Sequence, residues 1–284
     1  MDDDSKPSAD NLSRREFAAV STAVAVTAGA SGARAEDTLS MEVQIKTADG
    51  DCDAVLIHPP GSGPWPAVLV WPDAFGLRPT FREMGARLAA QGYTVLTVNQ
   101  FYRTKKAPPF EAPVNFQDPA VRSRLGELRA PLTQEAAMRD ATAFMAWLDA
   151  QKVVNRNARA GVVGYCMGGA MTMQTAAAVP GRVGAGCSFH GGALVTDKPD
   201  SPHLLAPRIK AAYYFGVAAN DDAKEPQAKV ALKQAFDAAK VPAKIEVYAD
   251  AQHGWCVPDS AVYNKAAADR AFGEMTTLYK TALV

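Results

Sequence analysis

The chain has 284 residues, 48% of them hydrophobic and 21% charged, an ordinary globular composition with room for one large α/β core. Lys+Arg and Asp+Glu each number 30, giving a formal net charge of +0. That balance excludes the electrostatic footprint of a nucleic-acid binder or of a protein held on an anionic membrane surface, and leaves small molecules as the expected partners.

The amino terminus reads as an address. Ser13-Arg14-Arg15-Glu16-Phe17 is a twin-arginine pattern, followed by an uncharged, weakly apolar stretch from Ala18 to Ala30 and then by Ala33-Arg34-Ala35, the small-x-small sequence that a signal peptidase accepts. The apolar stretch is too short to span a bilayer, so no stable membrane insertion is expected. Residues 1–35 are therefore expected to be a signal peptide that engages the twin-arginine export machinery, which carries folded proteins to a periplasmic or secreted location. Residues 36–284 are expected to be the folded domain.

Beyond that leader, apolar runs alternate with helical patterns, the signature of a mainly parallel sheet flanked by helices. Met41–Thr47 and Asp53–His58 alternate like two antiparallel strands at a sheet edge, while Pro66–Trp71 and Tyr93–Val98 are continuous apolar runs suited to buried strands. Phe81–Gln91 between them has helical spacing and ends before Gly92. The stretch Phe101–Leu132, with its prolines, basic residues and scattered aromatics, breaks the rhythm and reads as a long functional loop. Gln134–Gln151 is an amphipathic helix, with Ala137, Ala141, Phe144 and Leu148 on one face. Strands are expected at Arg159–Val163, Val183–Phe189, Lys210–Phe215 and Lys244–Tyr248, and helices at Ala170–Val179, Glu225–Ala239 and Ala261–Leu278.

The most informative segment is Gly164-Tyr165-Cys166-Met167-Gly168-Gly169, placed between a buried strand and a helix. A nucleophile at the apex of such a turn sits on strained backbone, and the residues two before and two after it come so close that neither tolerates bulk. Gly164 and Gly168 meet that demand. The helix N-terminus favours a thiolate at Cys166, and the amide of Met167 points to where an oxyanion would form. The glycine spacing is wrong for a dinucleotide loop.

A nucleophilic cysteine needs a base, and the base needs an orienter. Of the four histidines, His58 lies on an early strand and His203 in a proline-flanked loop, while His190 lies just past a strand but before any acid. His253 follows the last strand, where an α/β-hydrolase carries its histidine, and is the expected base. The acid belongs after the preceding strand. Asp221 is the choice there, with Asp222 as a helix cap or as the alternative.

With these residues in place the chain resembles the dienelactone hydrolase (carboxymethylenebutenolidase) family from about Met41 to its end. Gly164-Tyr165-Cys166-Met167-Gly168-Gly169 is close to that family's signature, and most α/β-hydrolases carry serine where Cys166 stands. The resemblance implies an α/β-hydrolase fold with a mainly parallel central sheet of about eight strands, a Cys166–His253–Asp221 triad, and a small ester or lactone as substrate. Trp71-Pro72-Asp73-Ala74-Phe75-Gly76 looks like the family segment that places an acid beside the thiol and supplies the second oxyanion amide, which here are Asp73 and Ala74. Phe101-Tyr102-Arg103 resembles the segment with an arginine for the substrate carboxylate. The chain departs from the family at Gly254-Trp255-Cys256-Val257-Pro258, which lacks the cation that follows the histidine in dienelactone-cleaving members. Trp255 offers an aromatic wall there instead.

No cofactor or metal is implied, since no cysteine has CxxC spacing and no Cys/His group has zinc spacing. Two other readings stand beside hydrolysis: a thiol redox protein in which Cys187 or Cys256 resolves Cys166, and a binding module that keeps the fold without the activity.

Overall fold

The computed structural model describes residues 35–111 and 114–284; the expected signal peptide lies outside the described residues, apart from Ala35. Eight strands form one sheet in the order β1-β2-β4-β3-β5-β6-β7-β8. The edge pair is β1 (Leu39–Thr47) and β2 (Gly50–His58), antiparallel throughout, with Leu39 opposite His58 and Thr47 opposite Gly50. β2 also runs antiparallel to β4 (Thr94–Val98). From β4 onward the sheet is parallel, through β3 (Ala67–Trp71), β5 (Ala160–Tyr165), β6 (Val183–Phe189), β7 (Ala212–Ala218) and β8 (Ala243–Tyr248).

Helices cover both faces, which is why the central strands read as unbroken apolar runs. The period of two divides each strand between two cores. Ala67, Leu69 and Trp71 join α3 (Gln134–Asp149), α4 (Gly168–Ala178) and α6 (Ala228–Ala238) on one side. Val68 and Val70 join α1 (Pro79–Ala89) and α7 (Lys265–Ala282) on the other. Burying each such aliphatic side chain contributes about 1.5–3 kcal/mol.

Two short helices occupy stretches whose periodicity is too weak to announce them. α2 (Pro119–Arg129) begins at Asp118, whose carboxylate accepts from the Ala120 amide at 2.8 Å, with Pro119 pre-set for the first turn. It turns the expected loop into an ordered cover, because Leu125 and Leu128 pack on Phe101 in a third small core shared with Ala74, Phe110 and Met167. α5 (Ala219–Lys224) is a single acidic-started turn directly after β7. Among the described residues no helix is long and apolar enough to cross a membrane.

One buried charge cluster ties this framework together. Asp140, in the middle of α3, is 1% exposed. Its carboxylate accepts from the Tyr102 hydroxyl at 2.8 Å and from Nη1 and Nη2 of Arg103 at 2.7 and 2.8 Å. Arg103 then reaches Asp49 in the β1–β2 turn, through Nε at 3.0 Å and Nη2 at 2.6 Å. Removing one partner strands a buried charge. Asp140→Ala is accordingly expected to cost about 3–5 kcal/mol in urea unfolding, and a loss under 1 kcal/mol would show that the cluster is not a fastener.

Candidate active site

The candidate site lies along the carboxyl ends of the parallel strands, where open α/β sheets bind their ligands. Each of β5, β6, β7 and β8 delivers one residue to it: Cys166, His190, Asp221 and His253 in that order.

Cys166 immediately follows β5 and has φ +53, a left-handed conformation that a side-chain-bearing residue adopts only when its surroundings enforce it. The enforcement is steric. A Cβ on Gly164 would lie 2.0 Å from the Gly168 carbonyl oxygen, and one on Gly168 would lie 2.4 Å from the oxygen of Trp71 and 2.6 Å from that of Pro72. The start of α4 thus rests on bare backbone; Met167 and Ala74, the two residues expected to supply oxyanion amides, both pack against the small core under α2. Cys166 is partly exposed, whereas Cys52, Cys187 and Cys256 are buried, and all of these cysteines are free.

His253 and Asp221 meet as expected. Nδ1 of His253 lies 2.7 Å from Oδ2 of Asp221, and Cys166 is close enough to the same imidazole to help raise its pKa. With Nδ1 taken by the carboxylate, Nε2 is left for the sulfur. The β7–α5 turn grips the histidine loop twice more, through Asn220 Oδ1, which accepts the His253 amide at 2.8 Å, and through the Ala219 amide, which donates to the Ala251 carbonyl at 2.9 Å. Asn220 was not singled out in the sequence, although its place beside the acid was the available signal. Asp222 does not cap a helix; it accepts from Lys229 Nζ at 2.6 and 2.7 Å.

Burial works to lower the His253 pKa. The hydrogen bonds to Asp221 and Cys166, with the charges of both, outweigh it and raise the group from the ordinary 6.5 to about 10. A raised folded-state pKa means that protonated His253 adds stability that is fully present below pH 6.5 and is lost as the pH climbs through about 10.

The remaining expected residues are placed differently. Arg103 is sequestered by Asp140 and Asp49, so its guanidinium fork is occupied and gives a substrate carboxylate no open clamp. Asp73 is also engaged. Its Oδ1 accepts from the Phe75 amide at 2.9 Å, and Arg78 clamps both oxygens at 2.7 and 3.0 Å. The same guanidinium holds Asp259 through Nε at 2.7 Å and Nη2 at 2.8 Å. Arg78, which no sequence motif singles out, therefore pins the Asp73–Ala74 loop to the segment that follows His253. Trp255 is fully buried, stacked on Tyr248 with centroids 4.8 Å apart, and is a core residue rather than an open wall. Cys187 and Cys256 are buried, and burial pushes both thiols above their ordinary pKa, which makes either a poor resolving nucleophile.

A parallel sheet with a cysteine on the β5 elbow, an acid after β7 and a histidine after β8 defines an α/β-hydrolase. Within that class, the sequence profile of the Dienelactone hydrolase family matches residues 52–283, and the chain belongs to this family. It is 24% identical over 230 residues to the carboxymethylenebutenolidase of Pseudomonas putida, covering 81% of this chain and 92% of that one. A dienelactone hydrolase-like promiscuous phosphotriesterase from metagenomic libraries has the same fold at a TM-score of 0.73 and 23% identity, covering 87% of this chain and 100% of that one. The dienelactone hydrolase of Anabaena variabilis matches at a TM-score of 0.62 and 15% identity, with 87% and 100% coverage. Family membership makes this chain a hydrolase of the ester and lactone class.

Asp221→Asn removes the leading contact that raises the His253 pKa. The imidazole C–H resonances in NMR are expected to titrate about 2 units lower in that variant. An unmoved midpoint would show that the carboxylate does not govern the ring.

Proposed function

We propose that the protein hydrolyses small esters or lactones through an acyl-enzyme on Cys166. The observation that carries this reading is the partly exposed sulfur at a left-handed elbow, beside an imidazole whose Nδ1 is held by Asp221 at 2.7 Å. In the proposed reaction His253 holds the thiol proton, and the thiolate attacks the carbonyl carbon. The carbonyl π pair moves onto oxygen, where the amides of Met167 and Ala74 receive it. Collapse of that oxyanion breaks the carbon–oxygen single bond, and His253 gives its proton to the departing alkoxide. Water then enters: His253 takes one proton from it, hydroxide adds to the thioester carbonyl, and the carbon–sulfur bond breaks to release the acid and restore the thiolate. Asp221 keeps the ring in the right tautomer and balances its positive charge.

The substrate in this reading needs no carboxylate, because Arg78 and Arg103 already hold carboxylates of the protein. The small core beside Ala74 and Met167, with Phe110 and Leu125, favours an apolar acyl or alcohol group. We also propose export, on the strength of the Arg14-Arg15 pattern and the Ala33-Arg34-Ala35 cleavage sequence. Replacing Arg14 and Arg15 by lysine is expected to leave the protein in the cytoplasmic fraction, and an unchanged distribution would contradict export by this route.

A chromogenic short-chain ester tests the chemistry. Cys166→Ala is expected to lower kcat by about 10⁴-fold or more with the fold intact, and turnover that survives this change would end the acyl-enzyme reading. Arg103→Ala is expected to reduce stability without selectively raising KM for carboxylated esters. A selective rise would restore the clamp role to that residue.

A further inference from the structure

The proposed reaction leaves a buried histidine beside the elbow unused. His190 follows β6 and is 1% exposed. Its backbone is left-handed, with φ +40, and its amide donates to the Gly216 carbonyl on β7 at 2.8 Å. The ring is therefore fixed between two parallel strands directly behind the elbow. Nδ1 accepts the Cys166 amide hydrogen at 3.1 Å, sharing it with the Phe189 carbonyl, also at 3.1 Å. An Nδ1 that accepts carries no hydrogen, so the neutral ring is protonated on Nε2, and Nε2 has no hydrogen-bond partner. The ring packs at a steep angle against His253, with centroids 5.2 Å apart and planes at 64°. Trp255 and Tyr165 close its remaining sides, at 5.0 and 6.0 Å. Burial, and then the neighbouring His253, hold its pKa well below the ordinary value.

Left-handed backbone and an unpartnered buried N–H both cost stability, and an apolar residue would avoid the second cost. The geometry provides the compensation. One ring touches both partners of the proposed proton transfer, the nucleophile through its amide and the base through its ring face. We propose that His190 is a positioning residue that sets the elbow and the His253 plane relative to one another, with Nδ1 as an obligatory neutral acceptor. It moves no proton and touches no substrate. The proposal rests on the reading of Cys166 and His253 given above.

Two substitutions of similar polarity separate the acceptor from mere filling of space. In His190→Asn the side-chain oxygen takes the place of Nδ1, and in His190→Gln it takes the place of Nε2. Two measurements are made on each full-length variant: kcat and KM on the chromogenic ester, and the pH profile of iodoacetamide alkylation at Cys166, followed by mass spectrometry. The second needs no ester turnover, and Cys166 is the described cysteine that is not buried. For Asn, the expected result is kcat within about threefold of the parent and a superimposable alkylation profile. For Gln, kcat is expected to fall by about tenfold to a hundredfold at nearly constant KM, with the alkylation midpoint displaced by about one unit. Should Gln fold poorly, His190→Met supplies a soft apolar filler in which the same losses are expected. Gln or Met behaving like the parent in both measurements overturns the proposal, as does Asn impaired as severely as Gln. If Cys166→Ala instead retains full esterase activity, the hydrolytic reading fails, while the alkylation contrast still decides the role of His190.

Discussion

The contact between Gly164 and Gly168 is the constraint on which the rest of this structure depends. Because neither residue has a side chain, α4 can begin within van der Waals range of β5 and of the Trp71–Pro72 backbone. That approach holds Cys166 in positive φ. Met167, the residue after the elbow, and Ala74 both pack against the same small core. An Ala in place of Gly164 or Gly168 would place a carbon where backbone already lies, and backbone cannot swing aside as a flexible side chain would.

Around the elbow, the site is held by pairs that join separate loops. Asp221 and Asn220 hold His253 from the β7 side. Arg78 joins the Ala74 loop to Asp259 beyond His253, with its guanidinium over the Phe81 ring at 5.0 Å. Arg103 and Asp140 secure the base of the Phe101 loop, from which α2 extends to cover Ala74 and Met167. Three of these loops carry functional groups and one carries the cover, and charge-assisted hydrogen bonds suit such joints because they fix direction as well as distance. A hydrolase site needs that rigidity more than it needs strong ground-state binding.

Much of the fold was legible in the sequence, because buried parallel strands leave continuous apolar runs and the period of two identifies the edge hairpin. Every strand expected from those runs is present within a few residues. α2 and α5 were not legible. α2 is short and has only Leu125 and Leu128 buried, and α5 is six residues with none buried, so neither imprints a hydrophobic period. At the site, the elbow was readable because Gly-x-Cys-x-Gly states a steric requirement in consecutive residues. The meeting of His253 with Asp221 followed from the order of elements. The pairing of Arg103 was not legible because its partner, Asp140, sits on what reads as the apolar face of α3, and a charge buried by pairing has no periodic signature. Arg78 and His190 act through partners distant in sequence, and that kind of role appears only once the chain is folded.

The proposed chemistry turns on a covalent intermediate at Cys166. Its most direct test is intact-protein mass spectrometry, with peptide mapping, on enzyme quenched in acid during turnover of a slowly hydrolysed ester. The account predicts a mass increase equal to the acyl group, located on Cys166, accumulating in His253→Asn and decaying in the parent enzyme. Steady turnover with no adduct on Cys166 at any quench time, in parent and variant alike, would contradict it.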